Sequence, residues 1–200
     1  MPRTWIITLN AIGVLGISLV LLFAFIDQLL LADLPCPLCL LQRVAFVLAG
    51  FGLALNLRFG PQPRYYALTL VAALVGMMIS GRQVMLHIAP GTGSYGEAVF
   101  GLHFYSWAFL LFGLIILGVA FLLYFHRAQV ESAPDHTTDG PWLIKLAVIA
   151  FWAIAIISLA NGVSTFLECG LGLCPDDPAE YQLLSFAQTN ISGINRPLGA

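Results

Sequence analysis

Charge is scarce in this sequence. Only 9% of its 200 residues are charged, and the eight basic and ten acidic residues leave a net charge of −2. Soluble domains usually contain about 25% charged residues. The shortage excludes a basic nucleic-acid-binding patch and an acidic tail, so we expect no nucleic-acid partner. The sequence also lacks internal repeats and low-complexity tracts, which excludes a repeat array.

Apolar residues dominate instead. They make up 60% of the chain, and the mean hydropathy is +0.91. A chain of this length cannot bury so much apolar surface in a water-soluble core, because too much of a small globule lies at its surface. The apolar surface must therefore face lipid, which predicts a membrane protein.

Long apolar runs mark the spans. A helix needs about 20 mostly apolar residues to cross a bilayer. The sequence predicts an all-α integral membrane protein with a four-helix transmembrane bundle, a fifth span and a short outer amphipathic helix near Tyr181. The first run is too long for a signal-peptide core, and no cleavage site follows it. The predicted spans cover residues 4–31, 37–57, 65–88, 104–125 and 145–167.

The same pattern divides the chain into four parts. Residues 1–125 form the four-span bundle and residues 126–141 a polar cytoplasmic linker. Residues 142–167 form the fifth span, and residues 168–200 a periplasmic cysteine loop and tail.

Basic residues near the span ends predict the orientation. With the N-terminus in the cytoplasm, five basic residues lie inside and three outside. Five spans then place the C-terminus and both cysteine pairs on the outer, oxidising side, where paired cysteines are expected. The inner residues are Arg3, Arg58, Arg64, Arg127 and Lys145, and the outer ones are Arg43, Arg82 and Arg196.

The first cysteine pair, Cys36 and Cys39, is a CxxC that opens the second span, with Pro37 suited to the first helical turn. A helix N-terminus favours a thiolate over a thiol, which indicates redox chemistry. Arg43 follows Cys39 by four residues and shares its helix face, so it can stabilise a Cys39 thiolate and bind an oxygen of a ligand. An inert disulfide and a metal site are the alternatives for the CxxC.

Two arginines fall within the spans. Arg43 and Arg82 are costly in a bilayer, which makes both candidates for a functional site. Their alternative role is snorkelling to the headgroups. Three neighbours in sequence can hydrogen-bond a polar ligand at the membrane edge: Gln42, Gln83 and His87.

The second pair, Cys169 and Cys174, follows the fifth span in a Gly-rich loop. It is either a second redox pair that exchanges with the first by thiolate attack or a static brace. Four cysteines allow three pairings, so the resting disulfides stay open.

The segment Leu34–Arg43, with the letters LPCPLCLLQR, resembles the DsbB (disulfide-bond formation protein B) family of bacterial inner-membrane thiol oxidases. Residues 81–87 with Pro90 resemble the family's outer end of span 3, and the resemblance extends over about residues 10–125. It implies a four-helix bundle, a ubiquinone or menaquinone beside the CxxC, and a periplasmic DsbA-like thioredoxin-fold partner. The best-known members carry their second cysteine pair between spans 3 and 4, whereas residues 89–102 contain no cysteine here.

We therefore expect a multi-pass protein-disulfide:quinone oxidoreductase of the bacterial inner membrane that exchanges electrons with the membrane quinone pool. A vitamin K epoxide reductase-like quinone reductase and a non-enzymatic membrane scaffold with structural disulfides are the alternatives. No metal is expected. The predicted catalytic residues are Cys36, Cys39, Cys169 and Cys174, and the predicted quinone-binding residues are Gln42, Arg43, Arg82 and His87.

Overall fold

The computed structural model describes residues 3–31, 34–88, 98–126, 140–175, 178 and 180–186. Within them the chain forms five long helices and a two-stranded hairpin. The elements are α1 (Arg3–Leu31), α2 (Pro37–Phe59), α3 (Pro63–His87), β1 (Ala98–Val99), β2 (Leu102–His103), α4 (Phe104–His126) and α5 (Pro141–Cys169).

The five predicted spans are confirmed as helices, and all five are long and apolar enough to cross a membrane. The largest difference is at α5, which begins at Pro141 rather than Lys145 and ends at Cys169 rather than Leu167. Pro141 occupies the first turn after an extended Gly140, a position where its missing N–H costs no hydrogen bond. Residues 182–186 are also helical, at the place predicted for the amphipathic helix, whereas Asp177 and residues 187–200 lie outside the described residues.

The helices pack in a fixed order. α1 lies against α2 and α5, α2 also contacts α5 and α3, and α3 contacts α4. α2 and α3 approach closely at Gly52, where a side chain would overlap Thr69. A similar approach occurs at Gly76, where a side chain would overlap the ring of Phe112. Small residues at these crossings are typical of helix packing within membranes.

Large apolar side chains cover the outward faces of the bundle. Leu117 of α4 and Leu159 of α5 are each 70% exposed. Several polar groups inside pair across helices instead: for example, the Asn10 amide donates to the Tyr66 hydroxyl at 2.7 Å. Lipid as the surrounding medium explains this arrangement, because it accepts exposed apolar groups and cannot satisfy polar ones.

Both cysteine pairs lie at one end of the bundle, which we call the disulfide end. α2 begins there and α5 ends there, because antiparallel neighbours alternate in direction. The β1–β2 hairpin lies at the same end, and the indole of Trp107 in α4 donates to the Val99 carbonyl at 2.9 Å. Phe100 and Gly101 turn the hairpin with positive φ, as two-residue hairpin loops require.

Candidate active site

The first disulfide joins Cys36 and Cys39 at the start of α2. Cys36 is the N-cap residue, and its sulfur accepts a hydrogen bond from the Cys39 amide at 3.2 Å. Pro37 occupies the first turn, as the sequence predicts. The sulfurs thus lie at the positive end of the α2 dipole, an environment that stabilises a thiolate when the disulfide opens.

Two buried glutamines support this pair. The Gln83 amide of α3 points at both sulfurs, with its nitrogen 3.4 Å from Cys36 Sγ and 3.6 Å from Cys39 Sγ. The Gln42 amide donates to the Gln83 oxygen at 2.7 Å, which fixes the direction of the Gln83 donors. Side-chain N–H donors are therefore in place to stabilise the negative charge of a thiolate when the disulfide opens.

The two cysteines differ in their surroundings. Cys39 lines a cavity of about 500 Å³, and Cys36 does not. Cys36 is only 6% exposed, although it is the N-cap residue of α2. Of the two cysteines, Cys39 is the one placed to meet a ligand in the cavity.

The cavity lies where α1, α2 and α4 meet the hairpin. α1 and α4 touch there through Phe23 and Phe104, whose ring centroids are 5.9 Å apart. Most of the wall is apolar or aromatic, and polar groups gather on the side of the CxxC. These polar lining residues are Asp27, Gln28, Cys39, Gln42 and Arg43.

Arg43 is held from two neighbouring helices. One terminal nitrogen donates to Gln28 Oε1 at 2.7 Å and Asn161 Oδ1 at 3.2 Å, and the other donates to the Ala24 carbonyl at 3.0 Å. A guanidinium has five N–H donors. Among the described residues three are engaged, so Nε–H and one terminal N–H are left for a ligand in the cavity.

The other two predicted quinone contacts lie elsewhere. Arg82 is exposed and lines a separate groove between α3 and α4 with Met78 and Phe109. His87 does not line the cavity, but it stacks on Tyr105 with ring centroids 5.3 Å apart, and Tyr105 does line it. The structure thus brings Gln42 and Arg43 to the cavity, His87 within one ring of it, and leaves Arg82 outside.

The second disulfide joins Cys169 and Cys174, with 4.5 Å between the Cα atoms. Cys169 is the last residue of α5 and is buried, whereas Leu171 and Leu173 in the closed loop are each 95% exposed. This pair therefore has one sulfur anchored in the bundle and a loop that projects from it.

Sequence reasoning missed the polar groups that surround Arg43. Asp27, near the end of α1, is half-buried and lines the cavity. The usable signal was polar residues inside apolar spans, since buried polar groups need partners. The other missed residues are Gln28, Asn161, Ser164, Glu168 and Tyr181.

Within the described ranges, no three His, Cys, Asp or Glu side chains are grouped to hold a metal ion. The donor set at the cavity is amide, guanidinium and sulfur. It suits an organic ligand with hydrogen-bond acceptors.

Comparison with known proteins gives a consistent match to one family. The family model described as disulfide bond formation protein DsbB matches residues 7–97, which include most of α1 and all of α2 and α3. No solved structure matches the chain.

Individual relatives have the same name. Disulfide bond formation protein B of Xanthomonas euvesicatoria pv. vesicatoria is 37% identical over 84 residues, or 40% of this chain and 49% of that protein. The protein of the same name from Nitrosomonas eutropha is 35% identical over 85 residues, with the same coverage. The chain thus spans about half the length of the curated relatives that it matches. The resemblance of this chain to the DsbB family is therefore confirmed over α1 to α3, the part that contains the Cys36–Cys39 pair.

Proposed function

We propose that this protein is a membrane thiol oxidase that takes electrons from the dithiol of a periplasmic thioredoxin-fold partner and passes them to a membrane quinone. One observation carries the proposal: Cys39 and Arg43 share the polar side of an otherwise apolar cavity of about 500 Å³. A redox-active sulfur and a lipid-soluble acceptor can meet there without either leaving its own medium.

The residues present fit a quinone. Its ring carbonyl oxygens accept hydrogen bonds, and two N–H donors of Arg43 are left for them. Its flat ring and apolar tail suit the aromatic wall, in which the rings of Phe46, Phe104 and Tyr105 lie. When bound, a quinone supplies a two-electron, two-proton acceptor.

Cys39 is the cysteine that transfers the electrons. Its thiolate, one helical turn before Arg43, is stabilised by the guanidinium charge and by the Gln83 amide at 3.6 Å. The Cys36–Cys39 bond re-forms as two electrons leave. The two protons of the partner dithiol end on the oxygens of the quinol, so the overall reaction balances: dithiol plus quinone gives disulfide plus quinol.

The second pair acts as the relay. A partner thiolate attacks the Cys169–Cys174 bond, the second partner thiol displaces the mixed disulfide, and the resulting Cys169/Cys174 dithiol reduces Cys36–Cys39. The packing of α5 supports this order. Asn161 contacts Arg43, and with a rise of about 1.5 Å per residue Cys169 lies about 12 Å further toward the disulfide end, while Cys36 lies about 10 Å beyond Arg43. Both disulfides thus lie at nearly the same height.

The proposed site is the bacterial inner membrane, with the N-terminus in the cytoplasm and the disulfide end in the periplasm. The basic residues at the span ends support this orientation. After reduction of intact cells, a membrane-impermeant thiol reagent should label Cys174. Labelling that occurs only after the cells are broken would show that the orientation is the opposite one.

The function is tested by mixing the purified protein with a reduced thioredoxin-fold protein and a quinone, and by measuring quinol and disulfide together. We expect one quinol for each disulfide formed, and no turnover in Cys39→Ala. If the protein were a membrane scaffold with structural disulfides, neither the wild type nor Cys39→Ala would produce quinol.

A further inference from the structure

Helix α5 turns a buried polar strip toward Arg43. Asn161, Ser164 and Glu168 are separated by three and four residues, so they lie on one helix face. They are 4%, 7% and 0% exposed. Polar groups are expensive inside a membrane-spanning helix and usually serve a function there.

Asn161 contacts the guanidinium directly. Its Oδ1 accepts from Arg43 at 3.2 Å, and its amide nitrogen donates to the Ile157 carbonyl at 2.9 Å. The second bond fixes the orientation of the amide, because it keeps the nitrogen on its own helix and the oxygen toward Arg43.

Ser164 acts one step further away. Its hydroxyl accepts from Gln28 Nε2 at 2.9 Å, and Gln28 Oε1 accepts from Arg43 at 2.7 Å. The Tyr181 hydroxyl accepts from the same Gln28 nitrogen at 2.9 Å. Gln28 can therefore present only its oxygen to the guanidinium, and α5 controls Arg43 through two routes.

Glu168 adds charge. It is fully buried, neither of its carboxylate oxygens has a hydrogen-bond partner among the described residues, and it interacts electrostatically with Arg43. Asp27 of α1 is the second acidic group that acts on Arg43. When Glu168 is ionised, its buried carboxylate requires compensation by an opposite charge, and Arg43 is the cation whose field acts on it.

We propose that α5 is a functional part of the acceptor site, in which Asn161 is a positioning residue for Arg43 and Glu168 is the counter-charge of Arg43. Asn161 holds one terminal nitrogen of the guanidinium, so that the two remaining N–H donors face the cavity. Glu168 offsets part of the positive field that reaches Cys39 and the acceptor oxygen. The inference rests on the proposed function. It also goes beyond the family match, because α5 lies outside residues 7–97.

The two residues have effects of opposite sign. Asn161→Ala removes an acceptor from a charged donor, and we expect the KM for a short-chain quinone to rise roughly tenfold while kcat changes little. Glu168→Gln keeps the size and removes the charge. It should lower that KM and strengthen the thiolate–quinone charge-transfer absorbance at Cys39, because Arg43 then acts with its full charge.

The assay uses the full-length protein with a small dithiol as donor, so that the second cysteine pair is bypassed. Leu159→Ala, on the lipid-facing side of α5, is the matched control and should retain the wild-type KM. Asn161→Gln keeps an uncharged amide with an acceptor oxygen and should give a KM well below that of Asn161→Ala. This variant also guards against a folding defect, since it keeps an amide in the buried polar strip.

Two outcomes would overturn the proposal: an unchanged quinone KM in Asn161→Ala, or a KM in Asn161→Gln as high as in Asn161→Ala. If Glu168→Gln raises the quinone KM, as Asn161→Ala does, Glu168 is not the counter-charge of Arg43. Arg43→Lys separates this inference from the proposed function. If it leaves the quinone KM unchanged, the acceptor does not bind at Arg43, and if it raises that KM while Asn161→Ala does not, only the role of α5 is lost.

Discussion

The two disulfides lie at one end of the bundle but in different surroundings. Cys36–Cys39 is embedded: a helix cap holds one sulfur, the Gln83 amide points at both, and a cavity with Arg43 at its polar side adjoins Cys39. The Cys169–Cys174 disulfide lies at the C-terminal end of α5. The loop that it closes projects from the bundle and contains two exposed leucines. These surroundings support the proposal that the first pair reacts with an acceptor in the membrane and the second with a partner outside it.

The contrast supports the proposed division of labour between the two cysteine pairs. A buried sulfur with fixed donors can form a stable thiolate but is hard for a folded protein to reach. A disulfide beside an exposed loop is easier to reach and has fewer fixed donors. One pair therefore cannot serve both a soluble partner and a lipid-soluble acceptor well, and two pairs in series can.

The largest effect on activity is expected when the second cysteine pair is removed. With Cys169→Ala and Cys174→Ala together, oxidation of a protein partner should fall by roughly a hundredfold or more, because exchange depends on access to the attacked sulfur. Oxidation of a small dithiol through Cys36–Cys39 should survive. Stopped-flow measurement of both reactions on one preparation gives the ratio.

Normal oxidation of the protein partner by the double variant would contradict the division of labour. In that case the partner docks on Cys36 directly, and the second disulfide is a brace.

The next largest effect concerns Arg43. Arg43→Lys keeps the charge but loses the planar fork, so the KM for quinone should rise about tenfold, in line with the loss of a hydrogen bond to a charged group. The reaction with the protein partner should stay normal at saturating quinone. Steady-state kinetics over a quinone series measure both quantities. Wild-type quinone kinetics in Arg43→Lys and also in Arg43→Ala would make Arg43 a membrane anchor.

A smaller effect is expected at Gln83. Gln83→Leu removes the donors to both sulfurs at nearly constant volume, and the loss of about 1 kcal/mol corresponds to a roughly fivefold slower turnover. The quinone KM should change little, because Gln83 does not line the cavity. Single-turnover reduction of bound quinone detects the change, and an unaffected rate would show that the α2 helix end alone stabilises the thiolate.

The smallest effect on the quinone KM is expected at Arg82, where the sequence and the structure lead to different expectations. The sequence predicts Arg82 as a quinone contact, whereas the structure places it in a groove between α3 and α4. Arg82→Ala should therefore leave the quinone KM unchanged within about twofold, as expected for a surface substitution away from the site. An increase comparable to that of Arg43→Lys would support the sequence expectation instead.

The sequence predicts the helices well because apolar length and turn residues decide them locally. It also predicts the CxxC geometry, since a Pro after an N-cap cysteine determines the start of α2. It does not predict Asn161 or Glu168 as neighbours of Arg43. They are more than a hundred residues away in the chain, and only the packing of α5 against α1 and α2 brings them together. The groove that Arg82 lines is also not predictable from the sequence, because helix rotation, rather than depth, decides which groove a side chain faces.

The most direct test follows the absorbance of the thiolate–quinone charge-transfer complex in two single variants. Cys36→Ala leaves Cys39 as a free thiol beside Arg43 and the cavity, so adding quinone should produce the coloured complex. Cys39→Ala leaves only Cys36, which does not line the cavity, and should stay colourless. Colour in Cys39→Ala but not in Cys36→Ala would contradict the placement of Cys39 at the acceptor, and no colour in either variant would contradict a quinone site at the first disulfide.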